Sequence, residues 1–239
     1  MSYLESNLRC LRCKKPELAS HIGNSVEKAE VFVVPSDCGL PTMGVRLDAG
    51  GTTFLHSIQD PKSEIVGLLG SVDFKRGDGT VLFGLGLGYM AKEIMVRKHR
   101  GHVVYIIEGL VEAFKKAMVH VDLTDIIEDD DVHLFVGASG KDVLNELRPL
   151  DRKVLTGKIN KLSTENLYRP CRCLYDGVSE LIERHVTSVK TGAVTFDVFR
   201  NKCLENAFRN IPEVTRSRSV DVLREMAKGE AALVVGAGP

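Results

Sequence analysis

The sequence predicts an α/β protein with a Rossmann-like, mainly parallel sheet, a small N-terminal antiparallel β unit and C-terminal helices. Between residues 80 and 147, buried strands alternate with helices, and this alternation requires crossovers between parallel strands. The first of these strands, Thr80–Phe83, runs directly into a turn that contains Gly84, Gly86 and Gly88. Before residue 57, short β-branched segments are separated by Gly, Pro and Asp clusters, which is typical of antiparallel strands.

The composition excludes several classes of protein. Lys plus Arg and Asp plus Glu number 32 each in 239 residues, so no global charge favours nucleic acid or an anionic membrane surface. No apolar segment approaches the roughly 20 residues that cross a bilayer. The N-terminus lacks the pattern of a secretory signal. We therefore expect a cytoplasmic protein whose partners are neither nucleic acid nor a membrane, and the sequence leaves a homo-oligomer open.

The N-terminal elements can be predicted from the turn residues and the proline that bound them. Residues 3–28 have a helical pattern of mixed charge. Strands are predicted at Val31–Val34, Met43–Leu47 and Thr52–His56, each bounded by turn residues. A helix is predicted to begin at Pro61, because proline suits the first turn of a helix.

The central segment continues the alternation after the glycine-rich turn. The spacing of its apolar residues predicts the following elements in order: helix Tyr89–Lys98, strand Val103–Ile107, helix Leu110–His120, strand Val132–Val136, short helix Asp142–Leu147 and strand Lys153–Ile159. These crossovers place the carboxyl ends of the strands at one edge of the sheet, where open α/β sheets bind ligands.

In the C-terminal third, the sequence predicts helices from Leu174 to Phe208 with a break near Thr191-Gly192. It then predicts a new buried strand at Ala231–Val235. Since that strand is followed by Gly236-Ala237-Gly238 and no helix, we expect a chain cut at the start of a second α/β domain. The predicted organisation is an N-terminal helix and β unit at 1–60, a Rossmann-like domain at 61–160, a helical segment at 161–230 and a truncated domain at 231–239.

The glycine-rich turn is the leading candidate for a ligand site. Glycines allow close backbone approach, and the helix that follows offers unpaired N–H groups. Glu108 ends the second strand, where its carboxylate could accept hydrogen bonds from ribose hydroxyls. We therefore predict that Gly84, Gly86, Gly88 and Glu108 bind a cofactor, either S-adenosylmethionine or a nucleotide. The alternative is that the glycines serve only close packing of strand and helix.

The same turn resembles the first motifs of class I S-adenosylmethionine methyltransferases. Their loop usually begins with an acidic residue, and this position falls on Leu82 here. Leucine cannot bind the amino group of methionine. This departure counts against methyl-donor binding.

The cysteines and one polar cluster offer weaker alternatives. Cys10-x-x-Cys13 and Cys171-x-Cys173 could supply four thiolates to zinc, but the second pair has an unusual spacing. Free thiols are the simpler interpretation, and no metal is predicted. His56, Ser57 and Asp60 could form a catalytic triad only if they converge in space. Ser57 and Asp60 are more simply interpreted as caps of the helix at Pro61.

Several segments in order resemble the N-terminal region of the motility accessory factor (Maf) proteins, which are bacterial flagellin glycosyltransferases that use activated nonulosonic acids. The resemblance covers residues 30–239. The segments are Phe54–Ser57 with Asp60, Pro61 and Glu64; Val81–Tyr89; Ile107, Glu108 and Glu112–Phe114; Asn201–Asn206 with Asn210, Ile211 and Pro212; and Lys228–Ala231 with Val235–Pro239. Glu230 departs from the proline that is common in the family.

The resemblance implies that the N-terminal region and the central domain of the parent protein have different roles. In the family, the segment that begins near Leu233 opens a central domain similar to sialyltransferases and to archaeal 6-hydroxymethylpterin pyrophosphokinases. That domain is thought to bind the activated donor and carry the transfer, so Gly236 and Gly238 would form the edge of the donor site. Flagellin and a nucleotide-activated sugar would then be partners of the parent protein.

Three hypotheses about function follow. The first is an accessory domain of a Maf-like glycosyltransferase, itself non-catalytic, with an architectural or acceptor-recognising role. The second is a methyltransferase-like domain that binds S-adenosylmethionine or a nucleotide at residues 84–88. The third is a structural module for dimerisation or interaction.

Overall fold

The computed structural model describes residues 2–27, 29–46, 51–75, 78–146, 155 and 157–217. Its helices are α1 (Tyr3–Lys14), α2 (Pro16–Asn24), α3 (Pro61–Leu69), α4 (Tyr89–Arg97), α5 (Val111–His120), α6 (Thr124–Glu128), α7 (Gly140–Asn145), α8 (Glu165–Tyr168) and α9 (Arg172–Arg216), with a 3₁₀ turn at Arg169–Cys171. Its strands are β1 (Glu30–Pro35), β2 (Pro41–Arg46), β3 (Thr52–Phe54), β4 (Gly79–Phe83), β5 (Val103–Glu108), β6 (Val132–Val136) and β7 (Ile159–Leu162).

The strands form two sheets. β1, β2 and β3 form an antiparallel sheet, in which Phe32 lies opposite Gly44 and Gly44 lies opposite Phe54. β6, β5, β4 and β7 form a parallel sheet in that order. The mixed α/β class, the parallel sheet, the small antiparallel unit and the C-terminal helices are therefore confirmed.

The two faces of the parallel sheet have separate cores. Alternate side chains of each strand point to opposite faces, so Leu82 and Ile106 join the core that contains α4 and α5. Tyr105 and Ile107 join a smaller core on the other face, with residues of α7 and the start of α9. Since β4 and β5 are buried along their whole length, the carboxyl ends of these strands are held in fixed register.

Three predicted elements differ from the structure. The strand predicted at Lys153–Ile159 is wrong in position, because β7 begins at Ile159 and is an edge strand where polar residues are tolerated; residues 153, 154 and 156 lie outside the described part. The predicted break at Thr191-Gly192 is also wrong. A glycine costs a helix interior only about 1 kcal/mol, and α9 continues through it. The helical region at 3–28 is two helices, because Pro16 begins α2.

The chain divides into two compact units, Met1–Thr191 and Gly192–Pro239. Both sheets belong to the first unit. The boundaries predicted at residues 60, 160 and 230 stay predictions. Within the described residues, no helix combines the length and the apolar character needed to span a membrane.

Candidate functional site

The glycine-rich turn connects β4 to α4 in a conformation that favours glycine. Gly84, Gly86 and Gly88 have φ angles of 82°, 53° and 79°, all in the left-handed region that other residues rarely adopt. Gly84 N–H donates to Ile107 O at 2.8 Å, which fastens the start of the turn to β5. The predicted turn is therefore present where the sequence places it.

Glu108 lies beside this turn and bonds to its backbone. Its Oε2 accepts from Leu85 N–H at 2.8 Å and from Gly86 N–H at 3.0 Å, and its Oε1 accepts from Leu110 N–H at 2.8 Å. The side chain is buried, and burial raises its pKa while the three N–H donors act in the opposite direction. The carboxylate occupies N–H groups that a ligand of this turn would use.

His56 follows β3 and occupies the next donor of the turn. Its Nε2 accepts from Leu87 N–H at 2.8 Å, and its ring meets the edge of the Tyr89 ring with centroids 5.1 Å apart. Burial lowers the pKa of His56 to about 4, so the imidazole is neutral near pH 7. Because Nε2 is an acceptor, the proton of the neutral ring must be on Nδ1. That Nδ1 has no hydrogen-bond partner among the described residues.

Leu167 of α8 closes the turn from outside. A Cβ added to Gly84 would lie 2.9 Å from Leu167 Cβ, and one added to Gly86 would lie 2.9 Å from Leu167 Cδ2 and 2.7 Å from His56 Cε1. Real Cβ atoms do not make such contacts. The close approach that these glycines allow is therefore made by the protein's own side chains.

The neighbouring end of β5 is covered in the same way. Gly109 N–H donates to the Tyr175 hydroxyl at 3.0 Å, and a Cβ on Gly109 would lie 2.9 Å from Cys171 Cβ. Burial raises the pKa of the Cys171 thiol to about 12, so it is not a reactive thiolate near neutral pH. The start of α9 thus fills the edge of the sheet where open α/β folds hold ligands.

The structure brings the predicted residues Gly84, Gly86, Gly88 and Glu108 together, as the sequence suggests. Glu108 bonds to the turn through Leu85 and Gly86, and the role of these residues in cofactor binding stays a prediction. Gly236 and Gly238, predicted as the edge of a donor site, lie outside the described residues.

The catalytic triad considered for His56, Ser57 and Asp60 does not assemble. Ser57 Oγ accepts from Gln59 N–H and Asp60 N–H, both at 3.2 Å. Asp60 caps α3 by accepting from Lys62 N–H and Ser63 N–H. Asp60 is therefore the N-cap of α3, as predicted, whereas Ser57 bonds to N–H groups that precede the helix and does not cap it.

The cysteine pairs do not converge either. Cys10 lies on α1, with its Sγ 3.6 Å from Glu128 Oε1, whereas Cys171 lies against Gly109. Within the described residues, no group of three or more His, Cys, Asp and Glu side chains is arranged to hold a metal.

An open cavity lies next to the closed turn, and its volume is about 480 Å³. It is lined by residues 52–54 and 56–59 and by Glu64, Asn166 and Arg169. Glu64 Oε2 accepts from Ser57 N–H at 2.9 Å, which holds the β3–α3 connection at the wall of the cavity.

Sequence reasoning assigned no role to Leu167 or Arg169. Leu167 packs against glycines about 80 residues earlier in the chain, and Arg169 lines a cavity with residues more than 100 positions earlier, so no local spacing indicates these placements. His56 was considered for a triad, but its bond to Leu87 depends on how the antiparallel unit docks beside β4, which local patterns do not report.

Comparison with known proteins supports the fold. No family model matches the chain. An uncharacterised protein of Treponema pallidum (strain Nichols) is 26% identical over 198 residues, which are 78% of this chain and 63% of the relative. A Maf glycosyltransferase from Magnetospirillum magneticum AMB-1 matches 78% of this chain and 35% of its own, with a TM-score of 0.53 and 12% sequence identity. The chain thus spans under two thirds of the relative and about a third of the solved structure, and it is similar to the Maf glycosyltransferase in fold.

Proposed function

We propose that this chain is the accessory α/β region of a Maf-like protein glycosyltransferase and does not itself carry the transfer reaction. The parent protein would transfer a nonulosonic acid from a nucleotide-activated donor to flagellin in the cytoplasm. The fold similarity to a Maf glycosyltransferase supports this proposal. The accessory region would have an architectural or acceptor-recognising role.

The proposal that this chain is not catalytic rests on one observation, which is that the protein's own side chains fill the glycine-rich turn. Rossmann units that bind nucleotides direct turn N–H groups and the start of the next helix at the ligand. Here Leu85, Gly86 and Leu87 donate instead to Glu108 and His56. A nucleotide could enter only if both side chains and Leu167 left, which would expose a buried carboxylate and apolar surface.

Deletion of the gene in the source organism tests the parent activity. Intact-mass spectrometry of flagellin should show loss of the glycan mass, and the reintroduced wild-type gene should restore it. An unchanged flagellin mass in the deletion strain would contradict the proposal. The 239-residue chain, incubated with flagellin and an activated nonulosonic acid, should transfer no sugar, and transfer by the chain alone would contradict its accessory role.

The methyltransferase alternative predicts a different result in calorimetry. If the turn is filled as described, titration with S-adenosylmethionine or S-adenosylhomocysteine should give no binding heat up to about 1 mM ligand. Even a Kd of about 1 mM corresponds to a binding free energy of only about 4 kcal/mol, so this range would detect weak binding. Saturable binding heat with either ligand would favour the alternative.

A further inference from the structure

The second part of α9, residues 192–216, carries an exposed apolar face. Because a helix turns by about 100° per residue, this face covers an arc of about 140°. Its large apolar members are Phe196, Leu204, Phe208, Ile211 and Val214. Phe196 and Phe208 are 65% and 69% exposed, and Val214 is 70% exposed. Soluble monomers rarely expose contiguous apolar surfaces above a few hundred Å², so a helix face of this kind indicates an interaction surface.

The charged residues of this segment are divided between two faces. The face opposite the apolar one carries Lys202, Glu205, Arg209, Glu213 and Arg216. Four of these five form two ion pairs along the helix. Only two charged residues between 192 and 216, Asp197 and Arg200, lie within the apolar face. Neither has an ion pair or a hydrogen bond with a described residue.

These two charges restrict the kind of partner. A helix that lies on a lipid surface has an uncharged apolar face and a polar face rich in Lys and Arg, whereas here the polar face has both signs and the apolar face has two charges. A second copy of the chain fits better. In a two-fold dimer, if one residue contacts another across the interface, the reverse contact is also made.

The orientation of such a pair follows from the signs of the charges. In an antiparallel pair, Asp197 of each copy lies opposite Arg200 of the other, so both charges are neutralised. In a parallel pair, Asp197 would lie beside the partner's Asp197 and Arg200 beside the partner's Arg200, and like charges across an interface are costly. The antiparallel register that matches the charges also sets Ala193 opposite Leu204, a small residue against a larger one.

We propose that two copies of this chain associate through the apolar faces of residues 192–216, antiparallel, with Asp197 and Arg200 forming two reciprocal ion pairs. The proposal concerns the second compact unit alone and does not depend on the glycosyltransferase role.

The test is analytical ultracentrifugation of the 239-residue chain at concentrations up to about 100 μM. The wild type should approach twice the mass of one chain as its concentration rises. Asp197→Arg and Arg200→Asp should each raise the dissociation constant about tenfold or more, because two attractive pairs become repulsive. An equimolar mixture of the two variants should restore tight association, since the arginines of one variant then face the aspartates of the other.

A matched charge reversal assigns the effect to the apolar face. Glu213→Arg changes a charge on the opposite face and should leave the dissociation constant unchanged, and circular dichroism should show the same helix content in all variants. A wild type that stays monomeric at every concentration would overturn the proposal. So would a dimer that neither Asp197→Arg nor Arg200→Asp weakens, or a mixture that associates no better than each variant alone.

Discussion

The glycine-rich turn and the neighbouring cavity share one side chain but differ in how their polar groups are satisfied. On the side of the turn, His56 Nε2 accepts from Leu87 N–H and Glu108 accepts from three further N–H groups. On the other nitrogen of the same ring, Nδ1 is buried and has no described partner, and His56 is one of the residues that line an open space of about 480 Å³.

This difference separates a sequence motif from space that a ligand could occupy. The turn has the residue types of a nucleotide-binding loop, yet its donors are used within the chain. The cavity has no recognised motif, yet it is open and is lined by polar and charged residues that include Glu64 and Arg169. Glycine spacing alone therefore does not show that a turn is open to a ligand.

The largest expected effect comes from adding a methyl group to the glycine-rich turn. In Gly86→Ala, the methyl group would be forced against His56 and Leu167 at a φ of 53°. Left-handed backbone costs an L-residue about 1–2 kcal/mol and overpacking costs about 1–3 kcal/mol. We expect a loss of about 4 kcal/mol in the free energy of unfolding, measured by urea denaturation.

Gly67→Ala is the matched control for this change. Gly67 lies within α3, and a Cβ there would meet no atom within 4 Å. This variant should gain about 0.5–1 kcal/mol, because alanine is the better helix former. If Gly86→Ala were as stable as the wild type, the turn would be open, and the contrast with the cavity would be lost.

The next effect is a pH dependence that originates from His56. Its pKa is lowered from 6.5 to about 4 in the folded state. In the unfolded chain, the His56 ring is protonated below about pH 6.5. In the folded chain, the same ring stays neutral until the pH falls to about 4. Stability from this group is constant above about pH 6.5 and falls as the pH is lowered towards 4, by about 3 kcal/mol in total.

Denaturation curves of His56→Gln and wild type, each measured at about pH 7 and pH 4, isolate this contribution. The loss of stability on acidification should be about 3 kcal/mol smaller in His56→Gln. Burial also lowers the pKa of His133, but this contribution is the same in both proteins. Equal losses in His56→Gln and wild type would mean that the ring is already accessible to protons.

The sequence predicted the fold well because its evidence was local. The alternation of strands and helices around Thr80–Val136 and the turn glycines both depend on neighbouring residues, and both are present. The edge strand β7 was misplaced because its outer positions carry polar residues that weaken the strand pattern.

The candidate site was predicted only in part because its contacts are distant in sequence. Glu108 was correctly placed beside the turn, since parallel strands bring their carboxyl ends together. The closure by Leu167, about 80 residues after Gly86, depends on the placement of α8, which no spacing in the sequence encodes. The same holds for the position of Arg169 at the cavity.

The smallest expected effect distinguishes a structural Glu108 from one reserved for a ligand. In Glu108→Gln, an amide NH₂ replaces one carboxylate oxygen, so at least one of the Leu85, Gly86 and Leu110 N–H groups would face a donor. An unsatisfied buried N–H costs about 2 kcal/mol, and urea denaturation should show this loss, while the exposed Glu17→Gln should change little. A residue kept for a ligand commonly lowers stability, so its replacement would leave the protein as stable or more stable. Unchanged stability in Glu108→Gln would therefore indicate that the carboxylate is kept for a ligand and that the turn is an open site.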